Sequence, residues 1–500
     1  MSINKKIWNL LFCLILSITI ITICSKNSPI YCFNDWVDAN AFFTMGKGWM
    51  NGLIPYRDLF EQKGPILYLI YGISSLISST DFFGVYIMEI LSFFLFNYYI
   101  LKMLNIFIDK KNSYLINILF VSIIVSSCFF VQGGSAEEFC LPLIAYSFYS
   151  IINYFNNRNN NVKKTIFLNG LVAGIVSLIK FNFLGFWFIW MATIFFENVI
   201  NKEYKKSIYN CLIFLIGMLT PVIIFVLYFL FNNSLNEFIE SYITFNFSSY
   251  TTKLSFLQRI KNFIINFKTQ FMQDKIIFHL IVFGFIGILF SKKIFQNIYL
   301  KIFTILSFLF LAIGIYIGGL PYNYYFLLNE FYILFGILII FIIINEKYKN
   351  RLKYLLLALI VLIFSSYRIS KSINVSSIKL KKDYYAQFVF DEIIKKEENH
   401  TLLNYDNLDG GFYTVSNILP STKYFMRQNI NYDRYPIIID EQNKIIKQKK
   451  VKFVIIREYY GNIDYHNTIP YLNENYVLIM EHEQLYEGMN FKYFLYSRKE

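Results

Sequence analysis

Apolar runs recur along the chain from the N-terminus to about residue 368, each closed by a short polar connection. Crossing a bilayer takes about 20 predominantly apolar helical residues. The runs predict spans over about 7–24, 82–107, 114–132, 137–155, 165–180, 183–200, 207–231, 276–291, 298–317, 325–345 and 354–368. The piece Ile66–Ile77, opened by Gly64-Pro65, is too short to span and is expected to lie in the interface or re-enter. The segment Asn232–Lys275 is long, aromatic and mildly basic, the pattern of an amphipathic helix on the bilayer surface, with a lid or acceptor guide as the alternative. From Ile369 the pattern changes. Residues 384–396 read as an amphipathic helix and 441–449 as helical. Short β-rich runs fall at Thr401–Tyr405, Pro436–Ile439, Val451–Ile456, Tyr476–Met480 and Phe491–Tyr496. This alternation predicts a small α/β domain with a partly parallel sheet. The glycines in the run YDNLDGGFY at 405–413 read as turn geometry, and no phosphate-loop or nucleophile-elbow motif is found in the tail. The expected architecture is a polytopic α-helical membrane domain over 1–368, with about eleven transmembrane helices plus interfacial helices, and an α/β domain over 369–500.

Charge orients this picture. The chain carries 47 Lys and Arg against 33 Asp and Glu, a net charge of +14, within a 56% hydrophobic composition. The excess sits in short clusters at alternate connections: Lys110-Lys111; Arg158, Lys163 and Lys164; Lys202, Lys205 and Lys206; Lys292-Lys293; and Lys347, Lys349, Arg351 and Lys353. That is the cytoplasmic bias of a membrane protein, and it argues against nucleic acid as a partner. Lys5-Lys6 precede the first run, which lacks a clean small-residue cleavage site and reads as an uncleaved helix with its N-terminus inside. An odd number of spans then brings the tail out on the extracytoplasmic side, together with the first loop. The six cysteines show no metal-ligand spacing and none lies in the tail; Cys24 and Cys32 are expected as free thiols, with a pairing between them as the alternative.

Candidate chemistry concentrates in the polar stretch from Asp35 to Pro65. It mixes Asp35, Asp38, Arg57, Asp58, Glu61 and Lys63 with Trp36, Trp49 and Tyr56. A carboxylate just beyond a membrane helix, Asp38, suits a general base toward an acceptor hydroxyl; the alternative is a solvated acid or helix cap. Arg57 and Lys63 suit a phosphate, Arg through paired donors and Lys as a point charge; the alternative is a loop whose charges pair with one another. Glu137 and Glu138 follow Gly133-Gly134 at the outer end of a span, where acids suggest function or simply suit a helix start. Lys180 and Asn182 lie between two spans on that side, against the positive-inside pattern, and suit an anionic lipid or plain snorkelling. Tyr322, Asn323 and Tyr324 form an aromatic outer turn after Gly318-Gly319, suited to a sugar ring or to an interfacial belt. His279, alone in an apolar run, is expected to be packed. A lipid-phosphate sugar transferase needs this set: one carboxylate as base and cations for the departing phosphate, which needs no protonation.

At these residues the sequence resembles the GT-C superfamily of integral-membrane glycosyltransferases. The likeness is to the bacterial branch related to protein O-mannosyltransferases, aminoarabinose transferases and lipopolysaccharide-core glycosyltransferases. The matching pattern is Asp38, then Gly46-Lys47, Asn51-Gly52, Pro55-Tyr56-Arg57-Asp58 and Lys63-Gly64-Pro65. Glu137-Glu138 with Leu141-Pro142, Lys180 with Asn182, and Asn417-Ile418-Leu419-Pro420 with Lys423-Tyr424-Phe425 add weaker matches. The resemblance implies a polyprenyl-phosphate-sugar donor, inversion at the anomeric carbon and an extracytoplasmic site in the bacterial plasma membrane. It implies a first-loop acid as base, which falls on Asp38 with Asp35 as competitor. On this reading Arg57, Lys63 and Lys180 bind donor phosphate. Asp35, Tyr56, Asp58, Glu61, Glu137, Glu138, Asn182, Tyr322, Asn323 and Tyr324 orient a lipid, glycan or protein acceptor or the sugar. Relatives carry a His-Tyr pair in the late outer turn where this chain has Asn323-Tyr324-Tyr325. No cofactor is indicated: acid pairs suit a divalent ion, but no ligand spacing demands one. A transporter or flippase of lipid-linked glycans and a non-catalytic assembly partner are the rival readings; few mid-span charges and no clear internal repeat speak against the transporter.

Overall fold

The computed structural model describes residues 3–156, 161–250, 254–291, 293–318, 320–347, 351–398, 400–459 and 464–500. Arg158, Lys292, Lys349 and Gly319 lie outside this set, as do the side chains of Lys347, Arg351 and Lys353. The chain divides into two compact units. One comprises residues 1–25, 88–226 and 252–376; the other comprises residues 26–87, 227–251 and 377–500.

The first unit is helical. Six helices among the described residues of the whole chain are long and apolar enough to cross a membrane. They become seven if Phe256–Gln273 and Lys275–Phe290, bent by 104°, form one span. One of the six candidates covers 162–200. A straight helix of that length would reach about 58 Å, far beyond one bilayer crossing. The chain breaks it at Lys180, whose backbone is extended, followed by a 3-10 turn at Phe181–Leu184. Small residues let helices approach closely. The Gly284 and Gly336 backbones meet so tightly that a Cβ on Gly284 would lie 2.7 Å from Gly336 N. Gly185 stands in the same relation to the Phe310 carbonyl, at 2.2 Å. His279, expected to be packed, is exposed, and its Nδ1 lies 2.5 Å from the Lys275 carbonyl in the preceding turn.

The second unit joins the polar stretch to the tail. Helix Val37–Met50 packs on helix Pro65–Ile77, with Gly46 against Gly72. Pro65 occupies the first turn, where its missing N–H costs nothing. The tail sheet has four strands: β1 (Leu402–Asn404), β2 (Phe453–Tyr459), β3 (Tyr476–Tyr486) and β4 (Met489–Arg498). Their order is β1-β2-β4-β3, with β1 and β2 parallel and the other pairings antiparallel. Leu403, Val454, Ile456, Phe494 and Tyr496 form the core of one face with Ile445, Ile446 and Leu472. The run Pro436–Ile439, expected as a strand, is instead the start of helix Ile437–Lys447. Its β-branched residues satisfy either element, and the helical repeat of buried Ile438, Gln442, Ile445 and Ile446 decides.

Candidate functional site

In the second unit, helix Val37–Met50 starts just after Asp35 and is buried on nearly every face. Asp38 is a partly exposed member of its first turn. Asp35 is differently placed. It is buried and its Oδ1 accepts a 2.7 Å hydrogen bond from Lys26 Nζ, in an ion pair with little exposure on either side. Of the two competing acids, Asp35 is thus buried against a cation and Asp38 is partly exposed.

The loop 51–64 is built by its own polar groups. Tyr56 has φ of +70°, its amide bonds the Leu59 carbonyl at 2.8 Å, and its buried hydroxyl donates to the Lys63 carbonyl at 2.7 Å. Asp58 accepts from the Ile54 amide at 2.7 Å and from Arg57 Nε and Nη2 at 2.9 and 2.8 Å. The Arg57 fork, chiefly through that side-chain hydrogen bond, holds the Asp58 carboxyl below its ordinary range. Arg57 also reaches the Asn232 carbonyl at 3.2 Å. Glu61 Oε2 accepts from the Lys63 amide at 2.7 Å and from the Tyr68 hydroxyl. The Lys63 ammonium stands 3.8 Å from Glu61 Oε1 and 5.8 Å from the centre of the Phe42 ring. The Arg57–Asp58 charges therefore pair within the loop, as the plainer reading expects.

Tyr250 draws part of this set together. Burial raises its hydroxyl, the Lys63 charge opposes, and the Asp38 and Glu61 carboxylates add to the rise; Gln62 is a hydrogen-bond partner. Asp38, Glu61 and Lys63 are thus close enough to act electrostatically on one phenol. Asn246 Nδ2 ties the same π-helical segment to the Gln62 carbonyl at 2.8 Å. Sequence reasoning missed Tyr250, which follows no motif. It also missed Lys26, for which a cation just after the first span was an available signal, and Glu487 on the β3–β4 turn. Burial raises the Glu487 carboxyl, with Asp35 and Asp38 adding to the rise.

The tail grips the same helix. Thr44 Oγ1 donates to Asp409 Oδ2 at 2.6 Å, the Gly411 amide donates to Asp409 Oδ1 at 2.8 Å, and Lys47 Nζ donates to the Tyr413 carbonyl at 3.2 Å. Gly411 has φ of +91°, and a Cβ there would meet Phe33 at 2.5 Å and Asn40 Oδ1 at 2.6 Å. The Phe60 amide donates to the Lys423 carbonyl at 2.9 Å. The glycines of the 405–413 run do serve turn geometry, but the aspartate before them is a buried contact to helix Val37–Met50.

The first unit holds the other candidates. Lys180 Nζ lies 2.7 Å from Glu137 Oε1, with side-chain exposures of 9% and 1%, so this pair is withdrawn from water. The same ammonium stands 3.7 Å from the Tyr325 ring centre, 5.6 Å from Tyr324 and 5.2 Å from Phe183. Glu138 closes a capping box on helix Ala136–Asn156: its Oε1 accepts from the Ser135 amide at 3.0 Å and its own amide donates to Ser135 Oγ at 3.1 Å. Glu89, fully buried, shares the Gly134 amide with Glu138, at 2.8 and 3.1 Å. An acid inside an apolar run was the signal that could have flagged Glu89. Asn182 is half-buried, with its carbonyl against Gly314. Tyr322 stacks on Tyr324 at 5.7 Å, and Asn323 Oδ1 accepts from Gln270 Nε2 at 3.2 Å. Among the described residues no group of three His, Cys, Asp or Glu side chains is arranged to hold a metal.

Residues 2–389 match the family model described as "Putative competence-induced protein Ccs4 N-terminal domain". The chain belongs to this family. No curated protein matches it by sequence. Among solved structures, this Ccs4-family chain is similar to ArnT from Cupriavidus metallidurans bound to undecaprenyl phosphate. That likeness has a TM-score of 0.58 and 8% identity, over 99% of this chain and 98% of the other. It is also similar to the same enzyme in the apo state, with a TM-score of 0.60 and 8% identity over 98% of each chain. The fold is therefore like that of ArnT, with several apolar helices followed by a small C-terminal sheet.

Proposed function

We propose that the chain is a membrane glycosyltransferase of the GT-C type. It takes a sugar from a polyprenyl-phosphate donor and passes it, with inversion, to a glycan, lipid or protein acceptor on the extracytoplasmic side of the plasma membrane. The observation that carries this reading is the extent of the likeness to ArnT, which runs almost end to end in both chains and includes the tail. The ArnT structure with undecaprenyl phosphate supports a lipid carrier of that class here. Asp38 is the base. It sits partly exposed in the first turn of helix Val37–Met50 and acts with Lys63 and Glu61 on the Tyr250 phenol. Lys63 meets the donor phosphate as a point charge. Arg57 contributes by holding the loop through Asp58. Asp38 removes the acceptor proton while Lys63 stabilises the departing phosphate, and charge stabilisation carries much of the rate.

The test is transfer by the purified protein from a polyprenyl-phosphate sugar. Asp38→Asn is expected to lose at least a hundredfold in turnover with an unchanged unfolding temperature. Asp35→Asn is expected to lower the unfolding temperature by freeing buried Lys26. Full turnover in Asp38→Asn would reject the assignment of the base. Absence of donor turnover by the intact protein would reject the enzyme in favour of a partner role.

A further inference from the structure

Helices Phe83–Phe107 and Ala136–Asn156 of the first unit carry a cluster that the proposed reaction does not use. Lys102 Nζ stands 4.6 Å from the ring centre of Tyr98, 5.6 Å from Tyr99 and 5.3 Å from Tyr149. Tyr146 joins through Tyr99, with ring centres 5.2 Å apart. All five side chains are partly exposed. Among the described residues, no ion pair or hydrogen bond reaches the Lys102 ammonium or any of the four tyrosine hydroxyls.

Lys102 and Tyr149 lie within about two turns of their helices' last residues, Phe107 and Asn156, and Lys110-Lys111 follow directly. That depth is the head-group level of a bilayer, where Lys and Tyr place polar ends in the interface and apolar stems in the lipid. A lysine that only snorkels extends into water. Here the ammonium is held on ring faces, an attraction of about 0.5–1 kcal/mol per ring when exposed. A cation held on three tyrosine rings, with a fourth tyrosine against one of them, lacks only an anion.

We propose that Lys102, Tyr98, Tyr99, Tyr146 and Tyr149 form a binding site for the phosphate of a net-anionic phospholipid, in the leaflet that carries the Lys110–Lys111 connection. The ammonium supplies the charge and the phenols supply hydrogen bonds to the phosphate oxygens. A zwitterionic lipid offers the same phosphate but brings its own cation against Lys102, so net charge decides occupancy.

Native mass spectrometry of the full chain released from detergent tests this, with phosphatidylglycerol, phosphatidylcholine and inorganic phosphate as probes. The wild type is expected to retain phosphatidylglycerol about tenfold over phosphatidylcholine. Lys102→Gln removes that preference, Lys102→Arg keeps most of it, and Tyr99→Phe with Tyr149→Phe weakens it severalfold. The phenylalanine pair preserves the ring packing, so a folding defect does not obscure the result. An equal lipid ratio in the wild type and Lys102→Gln would overturn the site. Inorganic phosphate displacing the lipid at millimolar concentration would overturn the lipid assignment in favour of a free-anion site.

Discussion

The contact between the tail and helix Val37–Met50 should write its own signature into stability. Burial raises the Asp409 carboxyl from 3.8 to about 6, although the hydrogen bonds from Thr44 and the Gly411 amide and the Lys47 charge oppose the rise. Burial lowers Lys47 from 10.5 to about 8, with the Asp409 charge opposing. The folded state therefore prefers the neutral acid and the neutral amine. The stabilising contribution of Asp409 is full below about pH 4 and is lost as pH rises through 6. That of Lys47 is full above about 10.5 and is lost as pH falls through 8. Between 6 and 8 both are charged and the pair is at its least favourable, as expected where desolvation exceeds attraction. Each shift of two units or so is worth about 3 kcal/mol over its whole range. Within pH 5–7 for Asp409, and 7–9 for Lys47, the change is on the order of 1 kcal/mol. Asp409→Asn keeps an acceptor for the Gly411 amide and removes the acid-side titration; Lys47→Met removes the alkaline side. The assay is the unfolding temperature of the purified chain in detergent from pH 5 to 9, read as variant minus wild type. Asp409→Asn should gain on the wild type by a few degrees from pH 5 to 7, and Lys47→Met should lose its relative gain from 7 to 9. Difference curves that stay flat across both windows would refute a buried, charged pair.

Lys180→Met should strand the buried Glu137 carboxylate and cost about 3–5 kcal/mol, most of it recovered when Glu137→Gln is added. Thermal unfolding of the two singles and the double checks this, and additive losses would deny the coupling. Gly411→Ala forces a side chain into a left-handed conformation against Phe33 and Asn40 and should cost about 2–4 kcal/mol. Limited proteolysis should then cut within 405–425 faster than in the wild type. Lys63→Met should raise the KM for the polyprenyl-phosphate sugar about tenfold in steady-state transfer, because the donor phosphate loses a point charge.

The helix pattern was legible because the bilayer imposes a length and an apolar composition on every span. The polar stretch was legible for the complementary reason: acids and bases next to apolar runs are costly unless used. The choice between Asp35 and Asp38 was not, because about one turn separates two identical side chains; that Asp35 is buried against Lys26 while Asp38 is partly exposed leaves no mark in the sequence. Pro436–Ile439 failed for a related reason. Three isoleucines suit a strand until the positions of Ile445 and Ile446 are weighed with them. The tail's hold on helix Val37–Met50 left the faintest trace, since Thr44 and Asp409 are 365 residues apart and neither belongs to a motif. Even so, the sequence contained a clue in the helix itself. It is nearly as apolar as a core helix, yet Thr44 and Lys47 fall on one face, three residues apart. A buried lysine needs a strong acceptor, and on that face its own helix offers the Thr44 hydroxyl but no carboxylate. The partner had to come from another segment. In the tail, an aspartate followed by two glycines offers a carboxylate on a backbone able to approach closely, and in the folded chain that segment meets the helix.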